Sequence, residues 1–172
     1  MRKLGRTELE VQRVGFGGIP IQRITQEEAN LVIRELQNQG VNFIDSARGY
    51  TISEEYIGNA IEGSRENWIL ATKSMSRTYD GMMKDVEISL DNFKTEYIDL
   101  YQLHNVKFNE YDNIFDKDMA YEALLECKRK GKNTKRAYTF LCTPKITLSN
   151  ELNYGLSLFS SLASNESNTH SS

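Results

Sequence analysis

The sequence predicts an α/β fold: a TIM-type (β/α) barrel, incomplete, with about four to five βα units preceded by an N-terminal β-hairpin. Three observations carry this reading. Short apolar runs at 41–44, 68–71 and 98–103 recur almost evenly along the 172 residues. Each interval between them holds one stretch of helical periodicity, and strands that alternate with amphipathic helices build a parallel sheet with helices packed on it. A polar residue lies just beyond each run, Asp45, Lys73 and His104, and the C-terminal strand ends of a parallel barrel are where catalytic groups gather. A closed eight-stranded barrel takes about 250 residues, so the beat stops before closure.

The elements follow in order. Lys3-Leu4-Gly5-Arg6-Thr7 and Leu9-Glu10-Val11 alternate around a glycine turn, a small hairpin. Arg13-Val14-Gly15-Phe16 is a short strand ending in Gly17-Gly18. Thr25 and Glu28 form a capping box, and Ala29, Val32, Ile33 and Leu36 give the following helix one apolar face. Gly40 ends that helix, as a left-handed residue after the last turn does. After the strand at 41–44, Ser53 caps a second helix, Glu54 and Glu55 suit its positive end, and Ile57, Ala60 and Ile61 form its buried stripe before Gly63. The strand at 68–71 leads to a helix marked by Met82, Val86, Leu90 and Phe93. The strand at 98–103 leads through a polar stretch, 105–118, to a helix near 119–130 that closes on Lys128, Arg129 and Lys130.

The character changes after Lys132. Eighteen of the 40 residues 133–172 are Ser, Thr or Asn, against 21 in residues 1–132. Residues 1–132 therefore read as the N-terminal half of a barrel, and residues 133–172 as a divergent, partly disordered tail. Residues 136–142 suit a fifth strand, residues 154–163 are apolar enough for a helix or strand, and residues 164–172 are expected to be disordered.

Composition narrows the function. A formal charge of −3 gives no basis for nucleic-acid binding, which is marked by a basic patch. Cys127 and Cys142 make neither a disulfide framework nor a metal motif, so no metal site is expected and a reducing, cytoplasmic compartment is. Residues 1–11 are charged throughout, unlike a secretory signal, and no run approaches the roughly 18 apolar residues of a membrane span.

Asp45, Tyr50, Lys73 and His104 form a chemically coherent set. A phenol has a pKa of about 10, and an adjacent ammonium favours its ionised form. A carboxylate can hold that ammonium, and an imidazole can hydrogen-bond a carbonyl oxygen. Together such groups polarise a carbonyl and protonate its oxygen as hydride reaches carbon.

The surrounding words are more specific. Gly40-Val41-Asn42-Phe43-Ile44-Asp45-Ser46-Ala47, then Tyr50, Ser53-Glu54 and Ile57-Gly58, closely resemble the signature of the aldo-keto reductase family. Ala71-Thr72-Lys73 resembles its lysine strand, and Tyr97-Ile98-Asp99-Leu100-Tyr101-Gln102-Leu103-His104 its histidine strand. Arg2-Lys3-Leu4-Gly5-Arg6-Thr7 and Val14-Gly15-Phe16-Gly17-Gly18 resemble its hairpin and first strand. The resemblance covers residues 1–132 and implies an (α/β)₈ barrel that reduces aldehydes and ketones with NADPH or NADH. It implies Tyr50 as general acid, Lys73 as the cation beside it, Asp45 as the partner of Lys73, and His104 as the group that orients the carbonyl. Gly18 and Ile19, with Asp45, resemble positions lining the cofactor. Ser46-Ala47-Arg48-Gly49-Tyr50 and Gln102-Leu103-His104-Asn105 resemble a bacterial branch whose longer members carry a C-terminal iron–sulfur segment. Two separated cysteines cannot build that cluster.

The family's second half, with its nicotinamide-stacking aromatic and phosphate-binding loops, is not recognisable after Lys132. A truncated chain, weak or absent turnover, and cofactor binding impaired by the missing half are the expectations. A carbonyl compound is the expected small-molecule partner. The alternative is a non-catalytic half-barrel that self-associates through exposed sheet edges, with inner side chains such as Val41 and Phe43 bared.

Overall fold

The computed structural model describes residues 1–5, 7–111 and 113–130, and the backbone alone of Tyr138–Cys142. An antiparallel hairpin, β1 (Arg2–Lys3) and β2 (Glu10–Val11), precedes the main sheet. That sheet has five strands: β3 (Phe16–Gly17), β4 (Phe43–Asp45), β5 (Ile69–Ser74), β6 (Leu100–His104) and β7 (Tyr138–Cys142). Every neighbouring pair is parallel, and the strands lie side by side in chain order. Strictly sequential order is that of a barrel wall; a doubly wound sheet reverses direction part-way. The helices α1 (Gln26–Asn38), α2 (Ser53–Ala60), α3 (Tyr79–Phe93) and α4 (Ala120–Lys130) fill the four crossovers. Among the described residues, no helix is long and apolar enough to cross a membrane.

The first crossover follows the sequence closely. Thr25 accepts from the Glu28 amide at 3.2 Å, and Glu28 accepts from the Thr25 amide at 2.8 Å, the reciprocal capping box. Ala29 and Ile33 are buried, with Leu36 packed beside them. Gly40 has φ +75°, the left-handed geometry that glycine adopts without steric penalty.

Period-two alternation divides β4, β5 and β6 between two apolar clusters. Ile44, Leu70, Tyr101 and Leu103 turn toward the helices and join Ile33, Ile57, Met82, Val86, Phe93 and Leu124 in the larger one. Phe43, Ala71 and Leu100, with Ile69 packed beside them, turn the opposite way and meet Leu4, Leu9 and Val11 of the hairpin. The two sets of side chains therefore cannot exchange without a register slip.

Several expectations need correction, while Glu54 and Glu55 do stand in the first turn of α2 as expected. Phe43 is not bared: it is 6% exposed, because the hairpin's apolar residues cover that end of the inner face, and Val41 is half-buried. The first strand does not begin at Arg13; Val14 is exposed, and only Phe16 and Gly17 pair with β4. Ser53 does not cap α2 but is its first residue. The cap position falls on Ile52 without a side-chain bond, because the Ser53 hydroxyl donates to the Gly18 carbonyl at 2.8 Å and accepts from Ser46 Oγ at 3.0 Å. Glu54, in that first turn, is fully buried. A fifth strand does form, β7 beside β6. The expectations for residues 154–163 and 164–172 concern residues outside those described.

Helices α2 and α3 touch backbone to backbone. A Cβ on Gly58 would stand 2.2 Å from the Asn92 carbonyl oxygen and 2.6 Å from Phe93 Cα. Only glycine allows that approach, and it draws α2 and α3 together behind the strands that carry the polar residues.

Candidate active site

The inner face changes from apolar to polar along the strands. Past Phe43, β4 presents Asp45. Past Ala71, β5 presents Lys73, and past Leu100, β6 presents Gln102 and then His104. Register places Lys73 opposite Gln102, and Asp45 opposite Ala71. These polar side chains converge at the C-terminal strand ends, where a parallel sheet leaves its crevice.

Lys73 is nearly buried, so its ammonium needs partners. It donates to Asp45 Oδ2 at 2.6 Å and to the Ser46 carbonyl at 2.7 Å. Gln102 Nε2 donates to Asp45 Oδ1 at 3.3 Å. Asp45 is thus clamped from β5 and from β6, the strand beyond it, which fixes the carboxylate and, through it, the lysine.

Tyr50 sits in the turn between β4 and α2. Its amide donates to the Ala47 carbonyl and its carbonyl accepts from the Ser53 amide, while the next residue, Thr51, takes φ +44°. A non-glycine residue in that region is uncommon and marks a turn held by its surroundings. The turn brings the Tyr50 ring to 5.0 Å from Lys73 Nζ and edge-on to the His104 ring, with centroids 6.2 Å apart and planes at 89°. All four residues singled out from the sequence therefore meet at one place.

His104 is biased toward its neutral form. Burial pushes its imidazole below the ordinary histidine range, the cations of Lys73 and Arg77 push it the same way, and Asp45 opposes them. Its Nδ1 is buried with no hydrogen-bond partner among the described residues. A neutral imidazole can donate one hydrogen bond to a carbonyl oxygen and accept another.

The two glycines after the first strand differ. Gly18 is walled in: a Cβ there would meet Ser53 Oγ at 2.8 Å and Ile57 Cδ1 at 3.0 Å. Its amide donates to the Asp45 carbonyl at 2.7 Å, and its carbonyl accepts from Ser53. Gly18 thus shapes the wall and has no backbone group to spare for a ligand. Gly17 has nothing within 4 Å of where a Cβ would stand, which leaves open space beside Asp45, its partner in the ladder. Ile19 and Met75, after β3 and β5, are about half exposed, and Phe108, after β6, is 86% exposed.

Gln102 was not singled out from the sequence. Its signal was available: two residues before His104 on a strand, it shares that residue's face.

Behind the sheet lies a second polar cluster. Glu54 accepts from Arg48, from Thr72 Oγ1 at 2.7 Å, from Ser89 Oγ at 2.9 Å and from Asn92 Nδ2 at 3.2 Å. Ser89 also bonds the Tyr101 hydroxyl at 3.2 Å, and burial pushes that phenol well up. Arg48 precedes Tyr50 by two residues and Thr72 precedes Lys73 by one, so this cluster backs the elements that carry the site.

Comparison with known proteins agrees with the geometry. The model of the aldo/keto reductase family matches residues 13–135. The chain is 35% identical over 144 residues to the uncharacterized oxidoreductase YqkF of Bacillus subtilis, covering 76% of this chain and 45% of that protein. It is 29% identical over 147 residues to L-galactose dehydrogenase of Arabidopsis thaliana, covering 77% and 46%. Among solved structures, a putative aldo-keto reductase from Pseudomonas aeruginosa superposes with a TM-score of 0.73 at 27% identity, over 83% of this chain and 59% of that one. The holo form of an aldo-keto reductase from Bacillus halodurans also gives 0.73, at 28% identity over 84% and 50%. The chain spans about half the length of the curated relatives it matches.

Proposed function

The chain belongs to the aldo/keto reductase family, and on that premise we propose that its inner-face cluster is the proton-transfer half of a carbonyl-reducing site. The observation that carries the proposal is the meeting of Tyr50 with Lys73 and His104 above a doubly clamped Asp45.

In this reading Tyr50 gives its hydroxyl proton to the carbonyl oxygen of an aldehyde or ketone. The Lys73 ammonium stabilises the phenolate left behind, and Asp45 and the Ser46 carbonyl keep that ammonium in place. His104 donates a hydrogen bond to the same carbonyl oxygen and sets its orientation; its bias toward the neutral form leaves the acid role to Tyr50. Ile19, Met75 and Phe108 give the rim an apolar character suited to the body of a small carbonyl compound.

NADPH or NADH, the family's cofactor, supplies the hydride when bound. The residues present fit its reacting end: Gly17 leaves open space beside Asp45, whose carboxylate is held by Lys73, and the family resemblance adds Gly18 and Ile19 to the lining. Most of the family's cofactor contacts belong to its second half, so the 172-residue chain by itself is expected to turn over slowly or not at all.

The test mixes the purified chain, at high concentration, with NADPH and a simple aldehyde while the reduced-nicotinamide absorbance is followed. Slow turnover abolished by Tyr50→Phe supports the assignment. Turnover that survives Tyr50→Phe refutes Tyr50 as donor. Robust turnover lost in that variant keeps the donor and overturns the expectation of weak activity.

A second reading, a non-catalytic half-barrel acting by association, has one observation in its favour: among the described residues, the sheet order runs from β3 on one side to β7 on the other.

A further inference from the structure

We propose that Arg77, in the loop after β5, is a positioning residue for His104. It fixes the backbone from which the imidazole projects and couples that backbone to the loops on either side.

The geometry is specific. One guanidinium nitrogen of Arg77, Nη2, donates to the His104 carbonyl at 2.9 Å and to the Asn105 carbonyl at 3.2 Å. Nη1 donates to the Met75 carbonyl at 2.9 Å, and Nε to Glu110 Oε2 at 3.1 Å. Glu110 is itself held by the Lys107 amide at 2.8 Å. The Arg77 carbonyl accepts from the Ala120 amide, the first residue of α4, at 2.8 Å. One planar fork therefore ties the loop after β5 to the last residue of β6 and to the turn beyond it.

That turn is a sharp one. Asn105 has φ +51°, a left-handed conformation that asparagine adopts more readily than most non-glycine residues. The two carbonyls gripped by Arg77 flank this residue's backbone. A lysine presents a point charge and cannot reproduce a planar fork with donors fixed in direction.

Arg77 also contributes to the charge around the imidazole. The described charged and titratable groups about His104 are Asp45 from β4, Tyr50 from the turn after it, Lys73 from β5 and Arg77. Removing Arg77 takes away one of the two cations that oppose protonation of His104.

The inference rests on the reading of His104 as the carbonyl-orienting group, and its test is independent of turnover. The chain has two histidines, His104 and His170. Histidine-labelled protein therefore gives two imidazole signals, and His170→Gln assigns them. Titration by NMR is combined with amide hydrogen exchange over residues 104–106, with the amides of α1 as an internal reference.

In Arg77→Met, the His104 titration is expected to move up in pH. Exchange over 104–106 is expected to quicken about tenfold or more, the loss of one to two charged hydrogen bonds, with α1 unchanged. In Arg77→Lys, the titration stays low while local exchange still quickens, which separates the fork from the charge. Glu110→Gln, a milder variant for use if Arg77→Met does not fold, gives a smaller quickening in the same residues. Exchange over 104–106 unchanged in the Arg77 variants overturns the proposal. So does exchange that quickens equally in α1, because that marks general destabilisation. A failed reductase assay with these results intact would refute the reaction and leave Arg77's role standing.

Discussion

Replacing Glu54 by alanine is expected to destabilise the fold by about 3–5 kcal/mol. The carboxylate is fully buried and serves four donors, Arg48, Thr72, Ser89 and Asn92. Removing one member of a buried ion pair costs about 3–5 kcal/mol. The lower figure applies because the Arg48 side chain is 22% exposed and can turn part of its charge to water. Thr72 and Ser89 are buried hydroxyls left without this acceptor, at about 1 kcal/mol each. The terms share one cavity and do not add fully. Typical domains have only about 5–15 kcal/mol in total, so the loss is large. The chain's single tryptophan, Trp68, is buried and reports unfolding by fluorescence in a urea titration. Glu54→Gln keeps one oxygen for Thr72 and Ser89 but offers an amine to Arg48 and Asn92, so it is expected to fall between. A loss below about 1 kcal/mol in Glu54→Ala would refute the argument, since four donors would then have found other partners at almost no cost.

Stability should also fall in mild acid on account of His104. Its folded-state pKa lies below the ordinary value of about 6.5, so the unfolded chain takes up the proton first as pH drops. The contribution is whole above that ordinary value and is lost as pH falls toward the folded one. The urea midpoint is expected to drop between pH 7.5 and 5.5 in the wild type and to drop less in His104→Asn; equal drops would sink the idea. Association is expected as well, because edge strands with unpaired backbone groups template pairing with another chain. Light scattering after size exclusion should find dimers or larger species, and a stable monomer that unfolds cooperatively would count against it.

Local signals in the sequence were read correctly where the physics is local. Thr25 and Glu28 are three residues apart, and their reciprocal cap is a property of that short segment alone. Asp45, Lys73 and His104 were legible as strand-end residues because strand and helix lengths repeat. The misreadings concern partners distant in sequence. Ser53 looks like a cap until Gly18, 35 residues earlier, takes its hydroxyl. Glu54 reads as a first-turn acid suited to the helix dipole, but its acceptor role depends on Thr72, Ser89 and Asn92, which lie 18, 35 and 38 residues away. Phe43 looks exposed in a partial barrel unless the hairpin is known to fold beneath the sheet. Arg77 carries no motif at all; its importance lies in reaching two carbonyls 27 and 28 residues on.

The alternation along β5 has a consequence for how variants of this chain will sort. Lys73 faces the crevice, while Thr72 and Ser74 on either side face α2 and α3, where they bond Glu54 and Asp85. A substitution scan down the strand should therefore produce two interleaved phenotypes. At Lys73 the proposed chemistry would be lost together with a nearly buried ion pair to Asp45, so activity would fall further than abundance. One residue to either side abundance would fall, with whatever remained folded keeping the proposed site. Abundance and activity measured side by side would trace the pleat of the strand, an odd–even signature readable in genetics without any further structural work.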